Sequence, residues 1–390
     1  MIPYGKQTID NTDIKSVVKV LKSDYLTQGP IVNIFEKKFS EYTNSKHAIA
    51  SNSATSSLIL ACRALGVSKG DWVWTSAITF VASSNCAIHC GANVDLVDIS
   101  LKDYNICVND LERKLKIAKK KGILPKVVIP VHLSGNPCDL KKINKLSKKY
   151  GFKIIEDASH AIGSIYQKSK IGSCKYSDIT VFSFHPVKIM TTGEGGMCTT
   201  NDLDLYNKIK RLSSHGVTRD PNEMTEVPHG PWYYQQIDLG YNFRMTEIRA
   251  ALGLNQLKKI NKFTKKRNQI ASKYDKLLKR LPIYTPQISN NNYSSFHLYI
   301  IRINEKNLYS RNKIFEHLLS QSIFVNLHYI PIYKHPYYKK KYKFKLSDFP
   351  NSELYYKQAI SLPIFPNLLN SDQKKIVNVI KEPIGHQTIF

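Results

Sequence analysis

Short apolar runs and amphipathic helical segments alternate along the first half of the chain. The apolar runs are rich in β-branched residues and are bounded by polar or turn-forming residues, which is typical of buried strands. Regular alternation of strands with helices indicates a mostly parallel sheet that is covered by helices. The predicted strands are His47–Ala50, Val73–Thr75, Val94–Asp98, Val127–Val131, Lys153–Glu156 and Ile179–Phe184.

The segments on either side of this region follow other patterns. Helical periodicity near Asp10–Leu21 and Ile31–Tyr42 predicts an N-terminal arm. A long, charged helical pattern over Thr246–Leu278 predicts one helix that bridges two domains. We therefore expect a large domain with the arm at residues 1–245 and a small α+β domain at residues 246–390. Strands are predicted in the small domain at Phe296–Ile303 and Ile323–Leu327.

The formal charge of +27 raises the question of a nucleic-acid partner. Only ten of the 57 basic residues are arginine, the side chain that is preferred for base and phosphate recognition. The lysines are scattered over predicted helix faces instead of forming one stripe. The best candidate patch, Tyr337–Lys343, is interpreted as a solvated face. We expect no nucleic-acid partner.

Cysteine content and hydropathy restrict the cellular compartment in which we expect the protein. The seven cysteines are an odd number and have no CxxC spacing, which argues against a disulfide framework or a zinc site. No apolar run approaches the roughly 20 residues of a membrane span, and the first residues lack the apolar core of a signal peptide. We expect a cytoplasmic protein with no membrane partner and no metal.

Lys188 is the first candidate for chemistry. It follows the strand predicted at Ile179–Phe184 and lies among Gly and Thr residues instead of on a solvated helix face. A lysine that is fixed just past a strand end and partly desolvated suits Schiff-base formation. From position alone, a surface lysine remains the alternative.

Asp157 and His160 form a second candidate group. They follow the strand Lys153–Glu156 at its carboxyl end, where ligands bind in open α/β sheets. A buried aspartate would keep the ring nitrogen of pyridoxal phosphate (PLP) protonated, as the chemistry of that cofactor requires. His160 could stack on the ring or hydrogen-bond to it. Alternatively, Asp157 caps a helix over Ala158–Gly163.

The third candidate segment, Ser51–Ser57, opens an apolar helix after the strand His47–Ala50. Small hydroxyl residues at a helix start leave backbone N–H groups aligned with the positive end of the helix dipole, which suits a phosphate. An ordinary serine or threonine N-cap explains the same residues.

Together these segments resemble the DegT/DnrJ/EryC1/StrS family of PLP-dependent nucleotide-sugar aminotransferases. The resemblance implies an α/β protein of PLP-dependent transferase fold type I (aspartate aminotransferase-like), with a mostly parallel central sheet and a small C-terminal α+β domain. It covers nearly the whole chain, from Ile2 to Pro363. The runs that carry it are Asn52–Ser56, Glu156–Ala161, Ser183–Lys188, Thr191–Met197 and Gly240–Glu247.

The resemblance also implies roles around PLP. Lys188 would bind the cofactor and carry the proton to the sugar carbon, with Asp157 and His160 at the pyridine ring. Many relatives have Gln in place of His160, so this contact can differ in detail. Phe80 would lie against the ring, with a core position as its alternative. Asn242 would reach the phosphate of the neighbouring subunit in an obligate homodimer, or else serve as a turn residue. The other expected phosphate ligands are Ser53, Ala54, Thr55 and Ser183.

Contacts to the sugar nucleotide are implied in the same way. Arg219 and His185 would bind the diphosphate, because fixed positive donors suit that group. The alternative for Arg219 is an ion pair near Asp220. The residues expected along the hexose and diphosphate are Tyr4, Asp24, Tyr25, Leu26, Thr27, His328, Tyr329, Ile330 and Pro331.

Further runs, such as His132–Pro137 and Gly230–Gln236, are similar to members that act in pseudaminic acid biosynthesis. They imply transamination at C4 of UDP-2-acetamido-2,6-dideoxy-β-L-arabino-hex-4-ulose, with L-glutamate as the amino donor. A different UDP-, GDP- or dTDP-linked 4-keto-6-deoxyhexose is the alternative substrate. A sugar dehydratase of the same fold carries His instead of the reactive lysine, so Lys188 excludes it. A non-catalytic regulator is disfavoured because Lys188 and Asp157 are both retained.

Overall fold

The computed structural model describes residues 1–304 and 310–384, so residues 305–309 and 385–390 of the predicted small domain lie outside it. The helices are α1 (Asn11–Leu21), α2 (Pro30–Thr43), α3 (Ala54–Ala64), α4 (Ala82–His89), α5 (Val108–Lys121), α6 (Leu140–Tyr150), α7 (Leu203–Ser213), α8 (Glu247–Leu257), α9 (Ile260–Leu278), α10 (Arg311–Ser320), α11 (Pro336–Lys341), α12 (Pro350–Gln358) and α13 (Asn370–Ile384). The strands are β1 (His47–Ser51), β2 (Trp72–Ser76), β3 (Asn93–Val97), β4 (Val127–Ile129), β5 (Lys153–Asp157), β6 (Ile165–Tyr166), β7 (Ser169–Lys170), β8 (Ile179–Ser183), β9 (Gly196–Thr200), β10 (Val217–Thr218), β11 (Gln235–Gln236), β12 (Ile283–Tyr284), β13 (Asn292–Tyr293), β14 (Tyr299–Ile303) and β15 (Ala359–Leu362).

The central sheet of the described structure has seven strands in the order β1-β9-β8-β5-β4-β2-β3. The strands β8, β5, β4, β2 and β3 run parallel, whereas β9 is antiparallel to both of its neighbours. All six strands predicted in the first half of the chain lie in this sheet. The sequence pattern therefore predicted the mostly parallel sheet correctly.

Both faces of the central sheet are buried. Adjacent side chains of one strand point to opposite faces, so Ile154 and Ile155 pack into different apolar clusters. The same division separates Val181 from Phe182 on β8. A parallel sheet with helices on both faces needs such continuous apolar strands. The polar residues that follow β5 and β8 consequently collect at the carboxyl edge of the sheet.

The prediction of one helix over Thr246–Leu278 is wrong. The chain forms α8 and α9, with Lys258 and Lys259 between them. Helix α8 buries Leu257 in the core of the large sheet. Helix α9 buries Phe263 in that same core and, further along, Tyr274 in a separate cluster with the strands of the small sheet. After the break, α9 therefore connects the two cores.

The strand predicted at Ile323–Leu327 is also wrong. The segment pairs with two partners in turn: Ile323 forms a bridge with Ile2, and Asn326 forms one with Ser361. The change of partner within four residues prevents a continuous ladder. The other predicted strand of this region, Phe296–Ile303, begins only at Tyr299 because Phe296 has a positive φ of 47°.

The small domain is proposed to comprise α9, α10 and α13 around the sheet β12-β14-β15, which together enclose a third apolar cluster. The division at residue 245 stays a prediction. No helix in residues 1–304 and 310–384 combines the length and apolar character that a bilayer span requires.

Candidate active site

A cavity of about 660 Å³ lies at the carboxyl edge of the central sheet. The ends of β5 and β8 and the starts of α3 and α4 form one side of it, and segments near His297 and His328 form the other. Parallel strands bring the residues that follow each strand to the same edge, which is where open α/β sheets bind ligands. The sequence candidates that line it are Ser53, Ala54, Thr55, Phe80, Asp157, His160, Ser183 and Lys188.

Lys188 lies in a tight turn just beyond β8. Its backbone N–H donates to the carbonyl oxygen of His185 at 2.9 Å. Burial lowers the pKa of the Lys188 amine to about 8, and the nearby carboxylate of Asp157 opposes this shift. A larger fraction of the amine is therefore neutral, and so nucleophilic, at physiological pH than in a solvated lysine. The position inside the cavity is inconsistent with an ordinary surface lysine.

Asp157 is the last residue of β5 and is only 4% exposed. Its Oδ2 accepts a hydrogen bond of 2.7 Å from Ser83 Oγ, and its Oδ1 accepts one of 3.0 Å from the N–H of Ser159. The chain over Ala158–Gly163 forms turns, so the helix-cap alternative is wrong. No side chain of the described residues forms an ion pair with this buried carboxylate. A cationic ring N–H is the partner that it lacks.

Glu156, the preceding acid, points to the other side of the strand. His132 Nδ1 accepts from the N–H of Cys138 at 3.0 Å, so the proton of the neutral imidazole is on Nε2. That Nε2 then donates to Glu156 Oε2 at 2.8 Å. Strand alternation thus gives one acid to the cavity and the other to a buried network behind it.

The start of α3 supplies an anion site. Ser53 is the N-cap, and its Oγ accepts from the N–H of Ser56 at 3.1 Å. The amides of Ala54 and Thr55 lie in the first turn, where N–H groups have no intrahelical acceptor. The capping role of Ser53 and a phosphate site at the same helix start are therefore compatible. Gly196 of β9 packs closely against the start of α3. A Cβ at this position would lie 2.5 Å from the carbonyl carbon of Ser53.

Phe80 lines the cavity and is 56% exposed, so the alternative of a core aromatic is wrong. Its ring centroid lies 5.9 Å from that of Tyr329. Because PLP is flat, an exposed ring at the start of α4 is suited to stack on it.

His160 is held in one tautomer. Its Nδ1 accepts from the N–H of Ser134 at 3.3 Å, which places the proton of the neutral ring on Nε2. That Nε2 lies 3.0 Å from the hydroxyl oxygen of Tyr329 and donates to it. Burial, together with the charge of Lys188, keeps the pKa of His160 well below its usual value, so the ring stays neutral. The hydroxyl hydrogen of Tyr329 is thereby free to point elsewhere.

Some of the residues expected at the sugar nucleotide line the cavity and others do not. Those that line the cavity are Tyr4, His185, His328, Tyr329 and Ile330. Of the others, Pro331 is buried elsewhere, and Asp24, Tyr25, Leu26 and Thr27 are exposed on the surface.

Arg219 and Asn242 are also exposed and lie outside the cavity of their own chain. The guanidinium of Arg219 lies 5.9 Å from the ring centroid of Tyr234, and within the described ranges it forms no ion pair, so that alternative is wrong. The carbonyl oxygen of Asn242 accepts a long hydrogen bond of 3.4 Å from Asn52 Nδ2, which leaves its side chain at the surface.

Sequence reasoning missed several residues of the site. Ser83, which donates to Asp157, follows Phe80 by three positions, and this helical spacing was the available signal. His297 gave no signal, because a single histidine in an apolar strand pattern looks like a core residue. Glu194 and Asn326 also line the cavity.

The residues fit PLP on three independent grounds. Lys188 offers an amine whose pKa burial has lowered, Asp157 offers a buried carboxylate with no ion pair among the described residues, and the start of α3 offers amides in its first turn. These match the aldehyde, the ring nitrogen and the phosphate of the cofactor.

Comparisons with known proteins agree with this geometry. The model of the DegT/DnrJ/EryC1/StrS aminotransferase family matches residues 7–381. The UDP-4-amino-4,6-dideoxy-N-acetyl-beta-L-altrosamine transaminase of Campylobacter jejuni subsp. jejuni serotype O:2 is 39% identical over 383 residues, which cover 97% of this chain and 96% of that protein.

Two solved structures are similar along almost the whole chain. PseC of Helicobacter pylori, an aminotransferase involved in the biosynthesis of pseudoaminic acid, has a TM-score of 0.90 at 32% identity, with coverage of 99% of this chain and 100% of that chain. The PLP form of the putative sugar aminotransferase Spr1654 of Streptococcus pneumoniae has a TM-score of 0.88 at 30% identity, with coverage of 99% of each chain. The predicted fold type and cofactor are confirmed.

The pKa of Lys188 can be tested in the cofactor-free protein. Capture of an aldehyde probe needs the neutral amine, so its rate should rise with pH and level off above about 8, instead of near the 10.4 of a free lysine. Asp157→Asn removes the charge that raises this pKa and should move the midpoint to lower pH. Stopped-flow absorbance gives the rate, and Lys188→Arg is the control that should abolish the fast phase. A midpoint near 10 in the unmodified protein would contradict the burial effect.

The close packing behind the anion site gives a second prediction. Gly196→Ala places a Cβ 2.5 Å from backbone atoms of Ser53, so the start of α3 must move away from the phosphate. Loss of one charge-assisted hydrogen bond should weaken PLP binding by about tenfold or more. Gly5→Ala is the matched control, because its Cβ would meet only Val187 Cβ at 4.0 Å. Equal PLP affinities of the two variants in equilibrium titrations would show that α3 tolerates the displacement.

Proposed function

Because the chain belongs to the DegT/DnrJ/EryC1/StrS family and is a PLP-dependent sugar aminotransferase, we propose that its substrate is UDP-2-acetamido-2,6-dideoxy-β-L-arabino-hex-4-ulose. The amino group comes from L-glutamate and is transferred to C4. The product is UDP-4-amino-4,6-dideoxy-N-acetyl-β-L-altrosamine, an intermediate of pseudaminic acid biosynthesis. The observation that carries the chemistry is the buried amine of Lys188 beside Asp157, and similarity to the Campylobacter transaminase supports this sugar.

PLP, when bound, supplies an electron sink for the bond changes at the amino-bearing carbon. Lys188 holds the cofactor between turnovers. Once released, its Nζ moves a proton to or from the substrate carbon, which is the work of a general acid–base whose pKa lies near the operating pH. Asp157 stabilises the protonated ring nitrogen, and Ser83 fixes the orientation of that carboxylate.

The side of the cavity formed by Tyr4, His185, His328 and Ile330 suits a deoxysugar nucleotide. Tyr4 lies beside His328, with ring centroids 5.6 Å apart, and both side chains face the cavity. Ile330, which is 43% exposed, offers an apolar surface for the methyl group of a 6-deoxyhexose. His185 is partly exposed at the same edge and can donate to a diphosphate oxygen.

The proposed enzyme is a homodimer with shared active sites. Asn242 and Arg219, which fit a phosphate or diphosphate by chemistry, are exposed outside the cavity of their own chain. Large apolar side chains are exposed nearby in the sequence, among them Trp232 at 66% and Leu239 at 75%. Exposed apolar surface of this kind is typical of a subunit interface. We place the enzyme in the cytoplasm, which fits its seven free cysteines.

The substrate can be tested with the aminated enzyme. The enzyme is loaded with L-glutamate, freed of donor, and mixed separately with the UDP-linked β-L-arabino and α-D-xylo 4-keto-sugars. Only the β-L-arabino sugar should restore the absorbance of the lysine-bound cofactor. The two sugars are epimers at C5 and place the methyl group on opposite faces of the ring, so only one of them can direct it to the apolar surface of Ile330.

If only the α-D-xylo sugar restores the absorbance, the enzyme makes a different amino sugar. Restoration by neither sugar, while glutamate still bleaches the cofactor, would mean that the nucleotide or the hexose is a different one.

Shared sites can be tested by mixing two inactive variants. Lys188→Ala removes the amine, and Asn242→Ala weakens cofactor retention in the partner site, so each homodimer should have little activity at limiting PLP. After random subunit exchange, half of the dimers are hybrids with one intact site, which predicts recovery of roughly a quarter of wild-type activity. Activity after mixing is the measurement. No recovery in hybrids whose formation is verified by mass would contradict a contribution of Asn242 to the neighbouring site.

A further inference from the structure

His297 is a cavity residue to which the proposed mechanism gives no role. Its ring lines the cavity and is only 4% exposed. Within the described ranges its side chain makes no hydrogen bond, and its Nδ1 is enclosed without a partner. Of the other buried cavity histidines, His160 is hydrogen-bonded at both ring nitrogens, to Ser134 and Tyr329, and His328 is hydrogen-bonded at Nδ1, to Ser361 Oγ at 2.8 Å.

The tautomer of His297 follows from this enclosure. Burial and the nearby charges of Lys188 and Arg267 keep its pKa well below the usual value, so the ring is neutral. A buried N–H without an acceptor is more costly than a buried lone pair without a donor. The proton therefore belongs on Nε2, which leaves one hydrogen-bond donor for a ligand in the cavity.

The backbone that delivers His297 is strained and firmly held. Phe296, the preceding residue, has a φ of 47°, which is a rare conformation for a bulky side chain. Arg267 Nη1 donates to the carbonyl oxygens of Phe296 and His297, each at 3.2 Å, and Ser295 Oγ donates to His160 O at 2.8 Å. Strain that is over-determined by its surroundings is characteristic of functional sites. Here the strained backbone places the imidazole of His297 in the cavity wall, where an apolar side chain would otherwise pack.

Arg267 itself is a buried cation without an anion. It is 1% exposed, and its contacts are carbonyl oxygens, including Ile364 O at 3.0 Å. Within residues 1–304 and 310–384 it forms no ion pair, and its Nε has no hydrogen-bond partner. Buried charges are normally paired. An unpaired guanidinium directly behind His297 makes this end of the cavity favourable for a negative charge.

We propose that His297 binds the α-carboxylate of the amino donor through Nε2–H, with the charge of Arg267 behind it as electrostatic support. This inference rests on the proposed function in one respect, namely that the donor is an amino acid such as L-glutamate. Arg267 does not line the cavity, so it is a positioning residue that holds the His297 backbone. No arginine of the described structure lines the cavity of its own chain, and His297 Nε2–H is a donor that this chain itself offers to the carboxylate.

The two substrates differ in where they carry negative charge. In the amino donor, a carboxylate is bonded directly to the reacting carbon and must lie near Lys188. In the sugar nucleotide, the charge is on the diphosphate, and the carbons next to C4 carry only neutral groups. His297 and Lys188 line the same cavity and interact electrostatically. A site for negative charge at this depth therefore fits the amino acid and not the sugar.

The two half-reactions of the holoenzyme distinguish a role of His297 in binding the amino donor from a role in binding the sugar nucleotide. The donor half-reaction is followed as loss of the absorbance of lysine-bound cofactor, with L-glutamate and with its α-amide, L-isoglutamine, as probes. The wild-type enzyme should bind the α-amide at least about tenfold more weakly, because a charge-assisted hydrogen bond is lost. His297→Phe should weaken glutamate binding by a similar factor and reduce the preference over the α-amide to about threefold or less.

Matched variants complete the test. His297→Gln keeps an N–H donor and should retain most of the preference for the carboxylate, which also covers the case in which the Phe variant folds poorly. His335→Phe removes another histidine of the cavity wall and should leave the donor half-reaction unchanged. The sugar half-reaction of His297→Phe should stay within about threefold of wild type.

Unchanged glutamate affinity in a folded His297→Phe enzyme would overturn the inference, as would equal losses in both half-reactions. Equal affinity of the wild-type enzyme for glutamate and its α-amide would also overturn it. An enzyme that reacts with glutamate but with neither keto-sugar would instead refute the proposed substrate and leave the role of His297 intact.

Discussion

The site depends on one constraint: an amine must be taken out of water and yet lie beside a carboxylate. The parallel sheet meets this constraint because β5 and β8 are neighbours, so their carboxyl ends bring Asp157 and Lys188 to the same edge. Burial lowers the pKa of the amine, and the carboxylate limits how far it falls. The close packing of Gly196 against Ser53 fixes the start of α3 beside Asp157 and Lys188.

The central sheet could be predicted from the sequence, because the pattern of apolar residues within each strand determines it. Strands of the central sheet are buried on both faces, so their apolar runs are continuous and easily recognised. Lys188 and Asp157 were identified because each follows such a strand. The break between α8 and α9 could not be predicted, since the helical period of apolar residues continues across it, and Leu257 and Phe263 pack into the same core.

Other features of the site depend on long-range contacts that leave no local signal. His297 enters the cavity because Arg267, thirty residues away in sequence, holds the backbone in place. Ile323 and Asn326 pair with opposite ends of the chain, which removes the strand that their β-branched and aromatic neighbours indicated. Asn242 and Arg219 lie outside the cavity of their own chain, so their proposed role at a neighbouring site depends on the proposed homodimer.

Helix α9 has a thermodynamic consequence for the two cores. It contributes Ile260 and Phe263 to the apolar core of the large sheet, and Tyr274 and Leu278 to that of the small sheet, so one hydrogen-bonded helix joins the two cores. Cooperative units of local unfolding follow shared cores and not the order of the sequence. The amide hydrogens at the start of α9 should therefore exchange with solvent together with those of the large sheet, and the amide hydrogens near its end together with those of the small sheet.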